Sequence, residues 1–244
     1  MTQKYISLQG ELFLAPIKNG VAGIYRSIGN TPELKLKFSA DKVEHRESKT
    51  GNRSVDAVMY KDPKLELSGS LEDASNENIA LLMNGETVTI AGKTITDVAL
   101  GAVTTNAMID LGVNNLSDAT FKDDAGTTIT EDKYSLDKTF GTVTFNTDFK
   151  SVTWSGKSGD TTRTTIGSQI GSRKFAVMFK GKDTYTNDKV SIRLWQIEFT
   201  PDTEMDLIQD DFAKYSIDAT ALADTTKAEN AELGPFGTIE RFSI

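Results

Sequence analysis

Polar and apolar positions alternate in two runs between residues 33 and 71, and a long charged interval separates them. In the first run Leu34, Leu36 and Phe38 fall on one face while Glu33, Lys35 and Lys37 fall on the other. In the second, Leu65, Leu67 and Leu71 alternate with Glu66, Ser68 and Ser70. The pattern predicts two half-buried strands. Residues 40–57 lie between them and hold few large aliphatic side chains, Val43 and Val55, so this interval reads as a long projecting loop. A helix signal follows. Ser75 suits the cap, Glu77 complements the dipole, Ile79, Leu82 and Met83 form an apolar stripe, and Gly85 suits a left-handed terminator. So short a helix requires docking on the adjacent sheet to persist in water.

The rest of the chain reads as short strands. Residues 8–26 predict an amino-terminal strand pair or arm, with a turn signal at Asn19-Gly20. Asp62-Pro63 predicts a break between Val58-Met59-Tyr60 and the strand that begins at Lys64, and residues 87–91 read as a strand closed by Gly92. The interval 93–150 is polar and thin in aliphatics, which predicts an inserted β-subdomain lying on the main sheet and not self-sufficient. Within it, Asp123 to Gly126 form a turn, and Tyr134, Leu136, Val143 and Phe145 outline a hairpin. Residues 155–172, rich in Gly, Ser and Thr, read as a mobile loop. Residues 175–179 are apolar at every position, as in a central strand covered on both sides. In residues 189–200 the apolar parity changes at Leu194-Trp195, which predicts a β-bulge or a strand shared between two sheets. Ala213, Tyr215, Ile217 and Ala219 alternate as a strand, and residues 236–242 form a terminal one.

Composition narrows the class. The 244 residues are 38% hydrophobic and 25% charged, within the globular range, and one short helix among many β-type runs predicts a mainly β protein. The net charge of −8 argues against a nucleic-acid binder that relies on phosphate contacts. Absence of cysteine removes disulfides and thiolate metal sites, and a single histidine removes multi-histidine sites. The first ten residues lack the apolar core of a signal peptide and no run reaches membrane-spanning length, which fits a chain kept in the cytoplasm. Charge is uneven along the chain. Residues 150–193 carry nine basic and three acidic side chains, and residues 194–244 carry three and eleven. Neighbouring blocks of opposite sign support head-to-tail contact between identical subunits, and solvated faces explain them equally well.

Enzyme chemistry finds little support. His45 is the only candidate histidine base, and no nucleophile elbow accompanies it. A solvated histidine paired with a carboxylate is the simpler reading. The carboxylate pairs Glu44/Glu47, Asp123/Asp124 and Asp210/Asp211 are what an acidic surface displays anyway, and residues 123–132 lack the ligand spacing of an EF-hand. Residues 167–171 lack the Gly-Lys-Ser/Thr ending of a phosphate loop. These readings predict no catalytic residues, no cofactor and no metal.

One group of features resembles a known family. Ile28-Gly29-Asn30, Leu34-Lys35-Leu36, Glu44-His45-Arg46-Glu47-Ser48 with Gly51, the run from Leu65 to Leu71 and Asn76-Glu77-Asn78-Ile79-Ala80 follow in order. The hairpin from Tyr134 to Phe145, Ile197-Glu198-Phe199-Thr200-Pro201, Ala223-Asp224 and Gly234-Pro235-Phe236 complete the series. Together they are similar to the major tail tube protein of long, non-contractile-tailed bacteriophages. That resemblance implies an antiparallel β-sandwich or split barrel with one flanking short helix, occupying residues 1–244 as a single domain with the 93–150 insertion.

It also implies a structural virion protein. Six copies form a ring, and rings stack into the tail tube through which DNA is ejected without specific binding. The long loop would reach the adjacent ring through Glu44, His45, Arg46, Glu47, Lys49 and Arg53. Implied partners are further copies of the chain and tape-measure, tail-tip and terminator proteins, with no membrane. The implied location is the virion tail, after assembly in the host cytoplasm. The alternative is a β-sandwich carbohydrate-binding or adhesion module. Such a module predicts a concave aromatic face, whereas Trp154 and Trp195 are far apart in the sequence.

Overall fold

A computed structural model describes residues 5–171 and 173–242. The chain is mainly β and antiparallel, of β-sandwich type, and divides into two compact units. Unit 1 comprises the chain up to Glu86 and again from Thr164, and unit 2 is Thr87–Arg163.

Unit 1 begins with β1 (Leu8–Lys18), β2 (Val21–Ala22), β3 (Arg26–Ser27), β4 (Glu33–Arg46), β5 (Val55–Leu71) and α1 (Asn76–Leu82). Unit 2 holds β6 (Thr87–Ile90), β7 (Thr94–Val103), β8 (Met108–Asp110), β9 (Leu116–Lys122), β10 (Tyr134–Asp137), β11 (Thr142–Phe145), β12 (Phe149–Ser158) and all but the last residue of β13 (Thr161–Thr164). The chain returns to unit 1 for β14 (Phe175–Asp183), β15 (Lys189–Phe199), β16 (Tyr215–Ala221) and β17 (Gly237–Phe242).

The nine strands of unit 1 form one sheet in the order β2-β1-β14-β15-β16-β5-β4, with β17 also paired to β15 and β3 to β1. The apolar run 175–179 lies in β14 at the centre, between β1 and β15. Of the two predicted explanations of the parity change in β15, the bulge is the one observed, and the strand stays within a single sheet. Phe175 pairs with Ile197 but Val177 with Leu194, so Trp195 and Gln196 oppose Ala176 alone, as in a bulge. On its other edge β15 pairs with β17 through Lys189 to Leu194 and with β16 through Ile197 to Phe199. Strand β16 alternates perfectly: Tyr215, Ile217, Ala219 and Ala221 are buried and the residues between them exposed. Strands β1 and β4, at opposite parts of the sheet order, line one groove of about 710 Å³, so the sheet curls over its core and stays open along that side.

The helix docks on this core, with corrections to its predicted face and terminator. Asn78, Leu81 and Leu82 are buried, whereas Ile79 and Met83 are only half-buried. Asn78 earns its burial through hydrogen bonds: Nδ2 donates to the carbonyls of Ile28 (2.9 Å) and Asp73 (3.0 Å), and Oδ1 accepts from Arg26 Nη1 at 2.7 Å. The Ser75 side chain makes no capping bond. The left-handed residue is Asn84 (φ 47°), one position before Gly85. Gly85 N–H then donates to Ala80 O and Asn84 N–H to Leu81 O, which satisfies two carbonyls of the helix's last turn. Gly85 is needed for space, since a Cβ there would lie 1.6 Å from Thr165 O.

Unit 2 has a core of its own, which its thin aliphatic content conceals. Phe121, Phe145 and Trp154 supply the bulk, with Val143, Val152 and Ile95 around them. Aromatic side chains bury large areas each, so few suffice. Phe121 packs edge-on against Phe145 (5.5 Å) and Tyr134 (4.8 Å). The predicted hairpin is present as β10 and β11, with Tyr134 opposite Phe145 and Leu136 opposite Val143. Residues 155–172 are not one loop: β12 continues to Ser158 and β13 follows at Thr161, while Ser172 lies outside the described residues. Thr and Ser fit these strands because they pack well on a half-exposed pleat.

Candidate functional site

Residues 40–57, predicted as a loop, are largely the outer part of a β-hairpin. Strands β4 and β5 run 14 and 17 residues and pair from Glu33↔Ser70 out to Arg46↔Val55. Two irregularities shape this arm. Ser39 pairs with Lys64 but Asp41 with Lys61, so Asp62 and Pro63 oppose Ala40 alone. Asp62 takes the left-handed conformation (φ 51°), and Pro63, which has no N–H to give, sits in the bulge. The predicted break at Asp62-Pro63 is therefore a bulge inside one continuous strand. Nearer the tip, Asp56 is the extra residue between the pairs His45↔Ala57 and Arg46↔Val55.

Beyond the first bulge the arm has no layer over either face: apart from half-buried Glu47, residues 41–64 are exposed. Backbone ladder bonds hold the strands together without the apolar alternation that marks a half-buried strand. One face carries Lys42 opposite Tyr60 and Glu44 opposite Val58, and the other carries Val43 opposite Met59 and His45 opposite Ala57. Tyr60 and Met59 are 69% and 59% exposed.

The six residues implicated by the family resemblance occupy different parts of this arm. Glu44 and Arg46 are joined, with Arg46 Nη2 at 3.1 Å from Glu44 Oε2 and Lys42 Nζ at 2.6 Å from Oε1. The hydrogen bond from Lys42, reinforced by its charge, holds the Glu44 carboxyl below the usual carboxylate range. His45 points elsewhere, its Nδ1 lying 2.5 Å from Asp56 Oδ1. Glu47 organises the tip by accepting from Thr50 Oγ1 and from the N–H groups of Lys49 (2.8 Å) and Thr50 (3.0 Å). Those bonds, the Thr50 hydroxyl first, lower its pKa. Arg53 sits at φ 49° and its carbonyl accepts from Arg46 Nη1. Lys49 enters this network through its backbone alone.

Sequence reasoning did not single out the arm's exposed apolar residues, Val43, Val55, Val58, Met59 and Tyr60, as candidate positions. The consecutive Val58-Met59-Tyr60 run, flanked by charge, was the available signal. Neither His45 nor Asp56 lines the 710 Å³ groove, whose floor is formed by Leu67, Val177, Phe179 and Leu194 and whose rim includes Glu33 and Lys35. No group of three or more potential metal-ligating side chains occurs among the described residues, and none of their helices is long and apolar enough to cross a membrane.

No curated protein matches the chain. A family described as Protein of unknown function UCP028589 matches residues 5–240, nearly the whole length, and the chain belongs to that family.

Proposed function

We propose that this chain is a structural subunit that assembles with copies of itself into stacked six-membered rings, as the tail tube of a long-tailed bacteriophage. The observation that carries the reading is the β4–β5 arm, a long hairpin with apolar side chains on both uncovered faces. An isolated two-stranded hairpin is marginal in water, so an arm of this length gains most of its stability from a surface beyond its own unit. Among the described residues β4 pairs only with β5, which leaves its outer edge available to extend a neighbour's sheet. Closing such edges around a ring removes them from solvent. The family resemblance supplies the ring, the tube and the passage of DNA. The chain's excess of carboxylates suits a conduit that does not hold phosphate.

Negative-stain electron microscopy and sedimentation of the purified protein test the proposal. Six-fold rings or tubes are expected. A compact monomer at every concentration, or turnover of a substrate that depends on His45, overturns it.

A further inference from the structure

The connection from β15 to β16 holds apolar side chains out in solvent. Met205 and Ala213 pack against the unit 1 core and pin both ends of the excursion formed by residues 206–212. Between those anchors Leu207, Ile208 and Phe212 are 84%, 96% and 94% exposed. The same seven residues contain Asp206, Asp210 and Asp211 and no cation. Single exposed apolar residues are ordinary on a protein surface, but three within a pinned, acidic segment mark an interaction site.

Elsewhere on unit 1 the chain displays the complementary chemistry. Strand β1 turns at Asn19 and Gly20 into β2, and the Ile17 N–H donates to Lys174 O at 2.8 Å, which ties this hairpin to the residues just before β14. Lys18, Val21, Ile24 and Lys174 are all exposed, Ile24 at 89%. Residues 16–25 and 165–175 contain no carboxylate. Acids bordering these segments lie toward the helix and β15: Asp73 and Glu77 act on Arg26, Glu86 accepts from Gln169, and Glu198 approaches Gly171. Arg173 is already engaged, donating to Gly85 O and lying over the Phe175 ring. Among the described residues of these two segments, Lys18 and Lys174 are the exposed cations.

We propose that residues 206–212 of one copy dock on the Lys18–Lys174 surface of a second copy. Leu207, Ile208 and Phe212 seat against Val21 and Ile24, and the aspartates face the two lysines. This rests on the reading that copies of the chain assemble, and it names the lateral contact, separate from the arm. Opposite charge selects the partner and sets the register, and burial of the apolar side chains supplies the affinity. Within one chain the segment leaves its three apolar side chains in water, so a second copy is the occupant that satisfies both surfaces. The two patches are unlike, so each docking leaves a free segment and a free surface for the next copy. Such contacts grow into closed rings or open filaments.

Two charge-reversed full-length proteins test this: Asp206→Lys/Asp210→Lys/Asp211→Lys, and Lys18→Glu/Lys174→Glu. Sedimentation velocity and electron microscopy read assembly, and circular dichroism confirms that each variant is folded. Each variant alone is expected to need a roughly tenfold or greater rise in concentration to assemble. An equimolar mixture is expected to recover assembly, because every reversed segment then meets a reversed surface. Phe212→Ser should weaken assembly without a change of charge. The proposal is overturned if the aspartate variant forms rings at wild-type concentration or if mixing restores nothing. Six-fold rings from that variant would remove the docking contact and leave the tube reading in place. Wild-type oligomers without six-fold symmetry that the variant disperses would support the contact and remove the tube. A wild type that stays monomeric removes both.

Discussion

Arg241 Nη2 lies 2.7 Å from Oδ2 of Asp183, a carboxylate with no exposed surface at the turn between β14 and β15. The same guanidinium reaches Asp188 Oδ2 at 2.8 Å and Thr186 Oγ1 at 2.7 Å, while Asp183 Oδ1 accepts from the N–H groups of Tyr185 (3.0 Å) and Ser7 (3.2 Å). One buried acid thus ties the last strand, a central turn and the residues before β1 together. Burial alone would push its pKa up; the N–H groups of Tyr185 and Ser7, the Thr186 hydroxyl and the Arg241 charge together outweigh burial and hold it down.

Removing either partner should therefore destabilise unit 1 unequally. Asp183→Ala leaves several donors stranded and is expected to cost about 3–5 kcal/mol. Arg241→Ala leaves the Ser7 and Tyr185 N–H groups in place and is expected to cost about 2 kcal/mol. Urea unfolding midpoints of the two variants measure the difference. Arg241→Lys should recover little, because an ammonium lacks the fork that spans Asp183 and Asp188.

Acid sensitivity should centre on Asp224. Its carboxylate accepts from Lys227 Nζ, from Thr226 Oγ1 at 2.6 Å and from the Thr226 N–H at 3.0 Å, and these bonds, Lys227 first, hold its pKa at about 2. The folded pKa lies below the unfolded one. Its contribution is therefore complete above the ordinary carboxylate range and is lost as pH falls from about 4 toward 2. Asp224→Asn should flatten the loss of stability in that window. Lys227 lies 5.0 Å from the Trp195 ring centroid, and Trp195 Nε1 donates to Gly234 O at 3.0 Å, so tryptophan fluorescence during acid titration is the direct readout.

The arm and the base should separate by mutation. Deleting residues 44–53 removes exposed backbone and is expected to leave the thermal midpoint within a few degrees and, under the proposed tube assembly, to prevent rings from stacking. Leu67→Asp places a carboxylate in the core of unit 1, where Leu67 is 5% exposed, and should abolish folding. Circular dichroism and electron microscopy of both proteins are the measurements. Equal loss of structure in the two would refute the division into base and arm.

The end of α1 gives a local test. Asn84→Val forces a β-branched residue into the left-handed region and should cost about 1–2 kcal/mol. Gly85→Ala drives a methyl into the Thr165 carbonyl and should cost about 1–3 kcal/mol through the displacement needed. A larger thermal shift for Gly85→Ser than for Gly85→Ala would confirm that space, and not backbone conformation, selects glycine there.

Much of the strand pattern was legible because it is local. The alternation in β16, the turn at Asn19-Gly20, the Tyr134-to-Phe145 hairpin and the bulge in β15 each leave a mark within a few residues, since a strand with one face in a core must alternate. Long-range relations leave no such mark. Nothing within β1 specifies that Leu12 will pair with Phe179, or that β15 will divide its edge between β16 and β17. The arm was misread for a different reason: a strand covered on neither face has no face to favour, so its pairing rests on backbone bonds that side-chain periodicity does not record. Unit 2 is thin in aliphatic content, yet Phe121, Phe145 and Trp154 fill a core that aliphatic content does not measure. The sequence by itself determined which segments extend and where they turn. Tertiary structure alone decided which strands meet and which apolar residues remain in water, because both depend on segments far apart in the chain.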